Sequence, residues 1–198
     1  MVTVGVLALQ GDVLEHLQLL EELGVRAKAV KRPRDLAGVE GLVIPGGEST
    51  TIGGLLIASG LVEPIRELAE KGVPILGTCA GAILLASRVK DRVVGETSQP
   101  LLGLMDIAVV RNAFGRQRES FIAELEVERV GRLKVAFIRA PAIAEAWGRS
   151  RITGYVDHPE LGRVGAAAEQ GNMIAVTFHP EITGERRLHQ YFVERIKR

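Results

Sequence analysis

The feature that most constrains this chain is a repeated alternation in its first half. Short runs that read as strands, at residues 2–9, 25–30, 41–44 and 73–76, are separated by segments with helical spacing. The first such segment, residues 13–23, carries Leu14, Leu17, Leu20 and Leu23 and stops at Gly24. Residues 49–58 and 61–71 follow as two helices parted by Ser59-Gly60, and residues 79–87 as another. Strands that alternate with helices predict a parallel sheet covered on both faces, because a parallel strand needs a crossover to return. Later the pattern changes: residues 104–110, 121–128, 133–138, 152–156, 163–169 and 173–178 read as strands with little helix between them. The expectation is an α/β three-layer sandwich, with a mostly parallel central sheet and antiparallel additions. An amphipathic helix closes it over residues 185–197, and a single domain spans 1–198.

Composition excludes several classes. The formal net charge of +1 gives no field for nucleic acid or an anionic membrane. The basic residues Arg186, Arg187 and Arg195 to Arg198 read as a solvated helix face that complements the helix dipole. No apolar run reaches the roughly 18 residues of a membrane helix, and the N-terminus lacks the basic region and cleavage site of a signal peptide. The expected location is the cytoplasm. The one cysteine, Cys79, leaves no internal disulfide and no thiolate metal cluster within the chain. It is either an inert core residue or a nucleophile, so its surroundings decide.

Those surroundings are Val73-Pro74-Ile75-Leu76-Gly77-Thr78-Cys79-Ala80-Gly81-Ala82: strand, tight turn, helix. The frame Gly77-x-Cys79-x-Gly81 is a nucleophile elbow with cysteine in place of serine. Small neighbours let the strand turn sharply and leave the central side chain exposed above the sheet. A helix N-terminus favours a thiolate, and the Ala80 amide points where an oxyanion would form.

A cysteine nucleophile needs a base, and the base needs an orienting group. Of four histidines, His16 and His189 fall inside helices and read as surface or packing residues. The others occupy an identical tripeptide, His158-Pro159-Glu160 and His179-Pro180-Glu181. The first lies among turn formers and reads as a hairpin loop. The second follows an apolar run suited to a central strand. Ligands of parallel sheets bind beyond the C-terminal strand ends, where Cys79 also falls. His179 as base and Glu181 as its orienting acid are therefore favoured. Ile44-Pro45-Gly46-Gly47-Glu48-Ser49 forms another strand-to-helix turn. The Gly47 amide could complete the oxyanion hole with Ala80; equally, Ser49 could serve as a plain N-cap. It is no phosphate loop, since the Gly-Lys-Ser/Thr ending is missing.

Through nearly its whole length the chain resembles the glutaminase subunits of pyridoxal 5'-phosphate synthases, within the class I (triad) glutamine amidotransferases. The strings that carry this are Val4-Gly5-Val6-Leu7-Ala8-Leu9-Gln10-Gly11, Pro45-Gly46-Gly47-Glu48-Ser49-Thr50, Gly77-Thr78-Cys79-Ala80-Gly81, Arg111-Asn112-Ala113-Phe114-Gly115-Arg116-Gln117, Phe137-Ile138-Arg139-Ala140-Pro141 and Phe178-His179-Pro180-Glu181. The Cys and His-x-Glu signatures are common to the superfamily; the Gly-Gly-Glu-Ser-Thr and Arg-Asn-Ala-Phe-Gly-Arg-Gln strings are specific to this branch. The resemblance implies Cys79 as nucleophile, with His179 and Glu181 as its partners. It implies Gly46, Gly47, Glu48, Arg111, Ile138 and Arg139 as glutamine-binding positions. Glu48 suits the α-ammonium of L-glutamine and Arg111 its α-carboxylate. It further implies no metal or organic cofactor. The implied partner is a synthase subunit that receives the ammonia within a large hetero-oligomer, with Gln10 near that interface. Two rivals stay open: an amidotransferase subunit of another pathway, and a deglycase-like or redox-sensing thiol protein with the same elbow.

Overall fold

The structure is a computed structural model that describes residues 1–115, 120–158 and 160–197. Arg116 and Gln117 of the branch-specific string, Pro159 of the second His-Pro-Glu, and Arg198 lie outside the described residues.

The N-terminal half runs β1 (Thr3–Leu7), α1 (Val13–Glu22), β2 (Arg26–Val30), a 3-10 turn (Pro33–Leu36), β3 (Gly41–Ile44), α2 (Ser49–Ser59), α3 (Val62–Glu70), β4 (Ile75–Thr78) and α4 (Ala80–Leu85). Then come β5 (Ala86–Asp91), β6 (Gly95–Glu96), β7 (Met105–Arg111), β8 (Phe121–Val127), β9 (Gly131–Phe137), β10 (Ala142–Ala146), β11 (Arg151–His158), β12 (Gly162–Gln170) and β13 (Met173–Val176). The last element is α5 (Arg187–Ile196).

Among the described residues thirteen strands join one sheet, with the path β2-β1-β3-β4-β13-β12-β10-β7-β5-β6 and with β11, β8 and β9 branching from β12. From β2 to β13 every pairing is parallel. Beyond β13 the pairings are antiparallel, apart from β5 with β7. This is the anticipated parallel centre with antiparallel additions.

The parallel strands β1, β3, β4 and β13 are almost wholly buried, which is why they read as continuous hydrophobic runs, whereas the edge strand β2 carries Arg26 and Lys28. Leu42 and Ile44 of β3 pack with Ile52 and Leu56 of α2, Ile65 of α3 and Leu84 of α4. Val43 points the other way, to Leu20 of α1 and Leu188 and Phe192 of α5. Each such fully buried side chain is worth about 1.5–3 kcal/mol, so the two apolar faces together fix the three layers.

Three strands depart from the expectation. The helix predicted over residues 79–87 ends at Leu85, and Ala86 turns extended (φ −65°, ψ 147°) into β5. No glycine or proline marks this stop; pairing with β7 imposes it. The Ala-rich β10 has the composition of a helix yet is held between β7 and β12. β6 is two residues long, below the reach of any periodicity. Three of the C-terminal basic residues are paired within the chain: Arg186 with Glu22, Arg187 with Glu185, and Arg195 with Glu169. No helix among the described residues is long and apolar enough to cross a membrane.

Candidate active site

β4 runs directly into Cys79, whose backbone sits at φ 48° and ψ −101° before α4 begins at Ala80. A non-glycine residue in that region is strained, and such strain collects at functional turns. The flanking glycines are required by contact. A Cβ on Gly81 would lie 2.1 Å from the Ile44 carbonyl oxygen, and one on Gly77 would lie 2.6 Å from the Gly81 carbonyl carbon. The elbow read from the sequence is thus a steric necessity of α4 lying against both β3 and β4. With six residues, α4 is shorter than anticipated, so its dipole lends a thiolate less than a long helix would.

His179 stands just beyond β13, whose Val176 carbonyl accepts the Cys79 N–H at 2.8 Å. The parallel pairing of β4 with β13 therefore delivers thiol and imidazole to the same strand ends. His179 is 4% exposed and its Nδ1 lies 2.7 Å from Glu181 Oε1. A second acid, Asp12 at the start of α1, reaches the same nitrogen at 3.2 Å. Burial works against a charged ring, but hydrogen bonds to Asp12, Cys79 and Glu181 outweigh it, and the pKa of His179 is pushed up to about 12. Burial pushes the Glu181 carboxyl up as well, opposed by its hydrogen bond to His179.

These groups open onto a cavity of about 610 Å³ lined by Gln10, Asp12, Gly47, Glu48, Cys79, Arg111, Ile138, Arg139 and His179, among others. Gly46, Ala80 and Glu181 stand behind that lining. A Cβ on Gly46 would lie 2.4 Å from His179 Cε1 and 2.8 Å from Asp12 Oδ2, so only glycine admits the imidazole there. The Gly46 carbonyl accepts the Asp12 N–H at 3.1 Å. Ile138 places its carbonyl oxygen 4.0 Å from Cys79 Sγ, and Arg139, exposed at the rim, holds φ 45°. A larger cavity of about 780 Å³ beside β8 and β11 is lined by no cysteine or histidine.

The two charged residues assigned to the substrate's ends meet each other. Arg111 Nη2 lies 3.4 Å from Glu48 Oε1, and Arg111 Nη1 donates to Gln99 Oε1 at 2.6 Å and to Thr50 Oγ1 at 3.0 Å. Glu48 also caps α2, accepting from the Thr50 and Thr51 amides at 3.1 and 2.7 Å. Burial opposes its charge, yet the Thr51 and Thr50 hydrogen bonds and the Arg111 charge hold its carboxyl below the usual range. The N-cap of α2 is Glu48, one residue before the Ser49 named from the sequence. A substrate carrying both charges would enter by exchanging into this pair.

Of the second His-Pro-Glu, His158 ends β11 and Glu160 falls before β12, in the hairpin that the turn formers indicate. His158 Nε2 meets the Ala113 carbonyl at 2.9 Å, and its Nδ1 accepts from the Glu160 and Leu161 amides. That ring has a structural duty and is spent on it. His16 and His189 are packing residues, as read, but they are fully buried and bonded to each other at 2.8 Å. Sequence reasoning passed over Asp12 as a site residue. Its signal was position: it follows Gln10-Gly11 just past β1, at the same strand ends as Cys79 and His179. Asp12, His179 and Glu181 bring potential ligand atoms within 4.8 Å of one another, while His179 Nδ1 is already held by Glu181.

A parallel sheet whose strand ends carry a cysteine elbow facing a His–Glu pair defines the glutamine amidotransferase class. Solved structures agree: one described as a crystal structure of a glutamine amidotransferase is 43% identical, with a TM-score of 0.89, over 98% of this chain and 99% of that one. Another glutamine amidotransferase structure, from Thermotoga maritima, shares the fold at 15% identity and a TM-score of 0.62, over 99% of this chain and 84% of that one. Residues 6–198 match the SNO glutamine amidotransferase family, and the chain belongs to it. Among its relatives, the pyridoxal 5'-phosphate synthase subunit PdxT of Hyperthermus butylicus is 57% identical over 100% of this chain and 98% of that protein. The protein of the same name from Aeropyrum pernix is 53% identical over 98% of this chain and 99% of its own.

Proposed function

We propose that this chain, as one domain over residues 1–198, hydrolyses L-glutamine to L-glutamate and ammonia through a Cys79 thioester. The ammonia would pass to a pyridoxal 5'-phosphate synthase subunit. The observation that carries the reading is that Cys79 and His179 line one cavity, with Glu181 holding His179 from behind. The family and the names of its relatives supply the substrate and the partner.

The Cys79 thiol gives its proton to His179, and the thiolate attacks the side-chain carbonyl carbon of glutamine. The oxyanion is held by the Gly47 and Ala80 amides. As the tetrahedral adduct collapses, the imidazolium returns its proton to the departing nitrogen, and the C–N bond breaks to release ammonia. Water, deprotonated by His179, then attacks the thioester carbonyl; the C–S bond breaks, and glutamate leaves with the thiol restored. Glu181 keeps the Nδ1 proton of His179 in place, so that the other ring nitrogen faces the sulfur. Glu48 and Arg111 take the α-ammonium and α-carboxylate, with Ile138, Arg139 and Gly46 shaping the rest of the cavity. No step calls on a metal or an organic cofactor.

Ammonia released to water is protonated and lost as a nucleophile, which favours direct transfer within a hetero-oligomer. Presentation of the Gly47 amide by turning over the Gly46–Gly47 peptide would break the Asp12 to Gly46 hydrogen bond, a cost that partner binding could offset. A free thiol nucleophile also fits the reducing cytoplasm.

The test is glutamate release from glutamine, with and without the synthase subunit, for the wild type and Cys79→Ala. Release that rises with the synthase and vanishes in Cys79→Ala is expected. Release indifferent to the synthase would move the chain to another pathway, and none at all with a reactive Cys79 would overturn the glutaminase reading.

A further inference from the structure

Behind the triad lies a buried chain of polar groups that the mechanism above does not use. Glu181 has one oxygen on His179; the other, Oε2, is buried and has no hydrogen-bond partner. An unpaired, buried carboxylate oxygen is costly, so what faces it matters. The group facing it is His16 Nε2 of α1, 3.6 Å away, which also lies 3.1 Å from Thr78 Oγ1. The other nitrogen of His16 meets His189 Nε2 of α5 at 2.8 Å, and both rings are fully buried.

Hydrogen bonding fixes the direction of this chain. If His16 carried its proton on Nδ1, its Nε2 lone pair would face the carboxylate. His189 would then have to accept at Nε2 and bury an N–H on Nδ1, an atom with no partner. An orphaned buried donor and a lone pair against an anion are both penalised. The opposite arrangement gives each ring N–H an acceptor: His189 Nε2–H donates to His16 Nδ1, and His16 Nε2–H donates to Thr78 Oγ1 while facing Glu181 Oε2. Burial and the neighbouring His189 and His179 rings hold His16 well below its ordinary pKa, so it faces Glu181 as a neutral dipole. At 3.6 Å this is a charge–dipole contact rather than a hydrogen bond.

We propose that His16, with its tautomer set by His189, is a positioning residue that keeps Glu181 ionised and aimed at His179 by presenting an N–H to Oε2. It touches neither substrate nor thiol; it acts through Glu181. The inference rests on the glutaminase reading for its kinetic consequence but not for its tautomers.

The test compares His16→Leu, which fills the space without a donor, with His16→Gln, which restores an N–H near the position of Nε2. Turnover of glutamine is measured on the full chain together with the synthase subunit. In His16→Leu, kcat falls about tenfold, as expected for a misoriented base, with KM within about twofold; His16→Gln recovers most of kcat. Wild-type kcat in folded His16→Leu overturns the proposal, as do equal losses in both variants or a loss carried by KM. Nitrogen-15 histidine NMR on the unmodified chain decides independently of folding or activity. The proposal requires the Nε2–H tautomer at both His16 and His189, and an Nδ1–H or protonated His16 refutes it. If the wild type releases no glutamate, the glutaminase reading fails, while the NMR result still decides the tautomers.

Discussion

Asp12 Oδ2 lies 3.2 Å from His179 Nδ1, the nitrogen that Glu181 already holds at 2.7 Å. Two acids on one side of the ring favour its protonated form, and a protonated ring favours a thiolate at Cys79. Removing the Asp12 charge while keeping its shape weakens that pairing. Asp12→Asn is expected to slow alkylation of Cys79 by iodoacetamide at pH 6 by roughly threefold to tenfold, the weight of about one kcal/mol of lost charge stabilisation. An unchanged rate would mean that Glu181 alone sets the ring.

Glu181→Gln leaves a hydrogen-bonding group of similar size but removes the buried charge and permits the wrong tautomer of His179. The glutaminase kcat should fall by about a hundredfold or more, with the fold retained by circular dichroism. A loss under about threefold would show that Asp12 substitutes for it.

Arg111 and Glu48 neutralise each other across the cavity at 3.4 Å. Arg111→Lys keeps a charge but loses the fork, so the KM for glutamine should rise about tenfold with kcat little changed. Equal proportional losses in kcat and kcat/KM would instead place Arg111 in transition-state contact.

A methyl group at Gly81 would meet the Ile44 carbonyl oxygen at 2.1 Å, and backbone on both sides leaves nothing flexible to yield. Gly81→Ala should destabilise the fold by about 1–3 kcal/mol, read as a lower urea midpoint. Wild-type stability would show that α4 can slide on β3.

Complete burial lowers the His189 pKa to about 4, from an ordinary value of 6.5. Between these values the unfolded chain binds the extra proton, so this contribution is present in full above pH 6.5 and is lost as the pH falls through 4. The loss amounts to about 3 kcal/mol, with His16 acting in the same direction. Urea midpoints at pH 7.5 and 4.5 should differ strongly in the wild type and less in His189→Asn. Equal differences in the two proteins would refute the assignment.

The parallel half of the fold was legible because β1, β3 and β4 are short apolar runs and turn residues punctuate the chain, as at Gly24 after α1 and Pro45 after β3. β5 and β10 were not, because Ala86-Ser87-Arg88 and Ala142-Ile143-Ala144 carry no strand signal of their own; the neighbouring strands β7 and β12 supply it. The choice of His179 over His158 was also legible, since only one of them follows a central strand.

The sequence by itself determined the Cys79 elbow, the His179-x-Glu181 pair and the family, because each is written in contiguous residues. Tertiary structure alone decided that Asp12 shares His179 with Glu181, that Arg111 rests on Glu48, and that His16 meets His189 across 173 positions of chain. These contacts join residues distant along the chain, and no periodicity or spacing encodes them. The histidine contact arises where α1 and α5 pack on the same face of the sheet, and Arg111 reaches Glu48 where the end of β7 meets the start of α2.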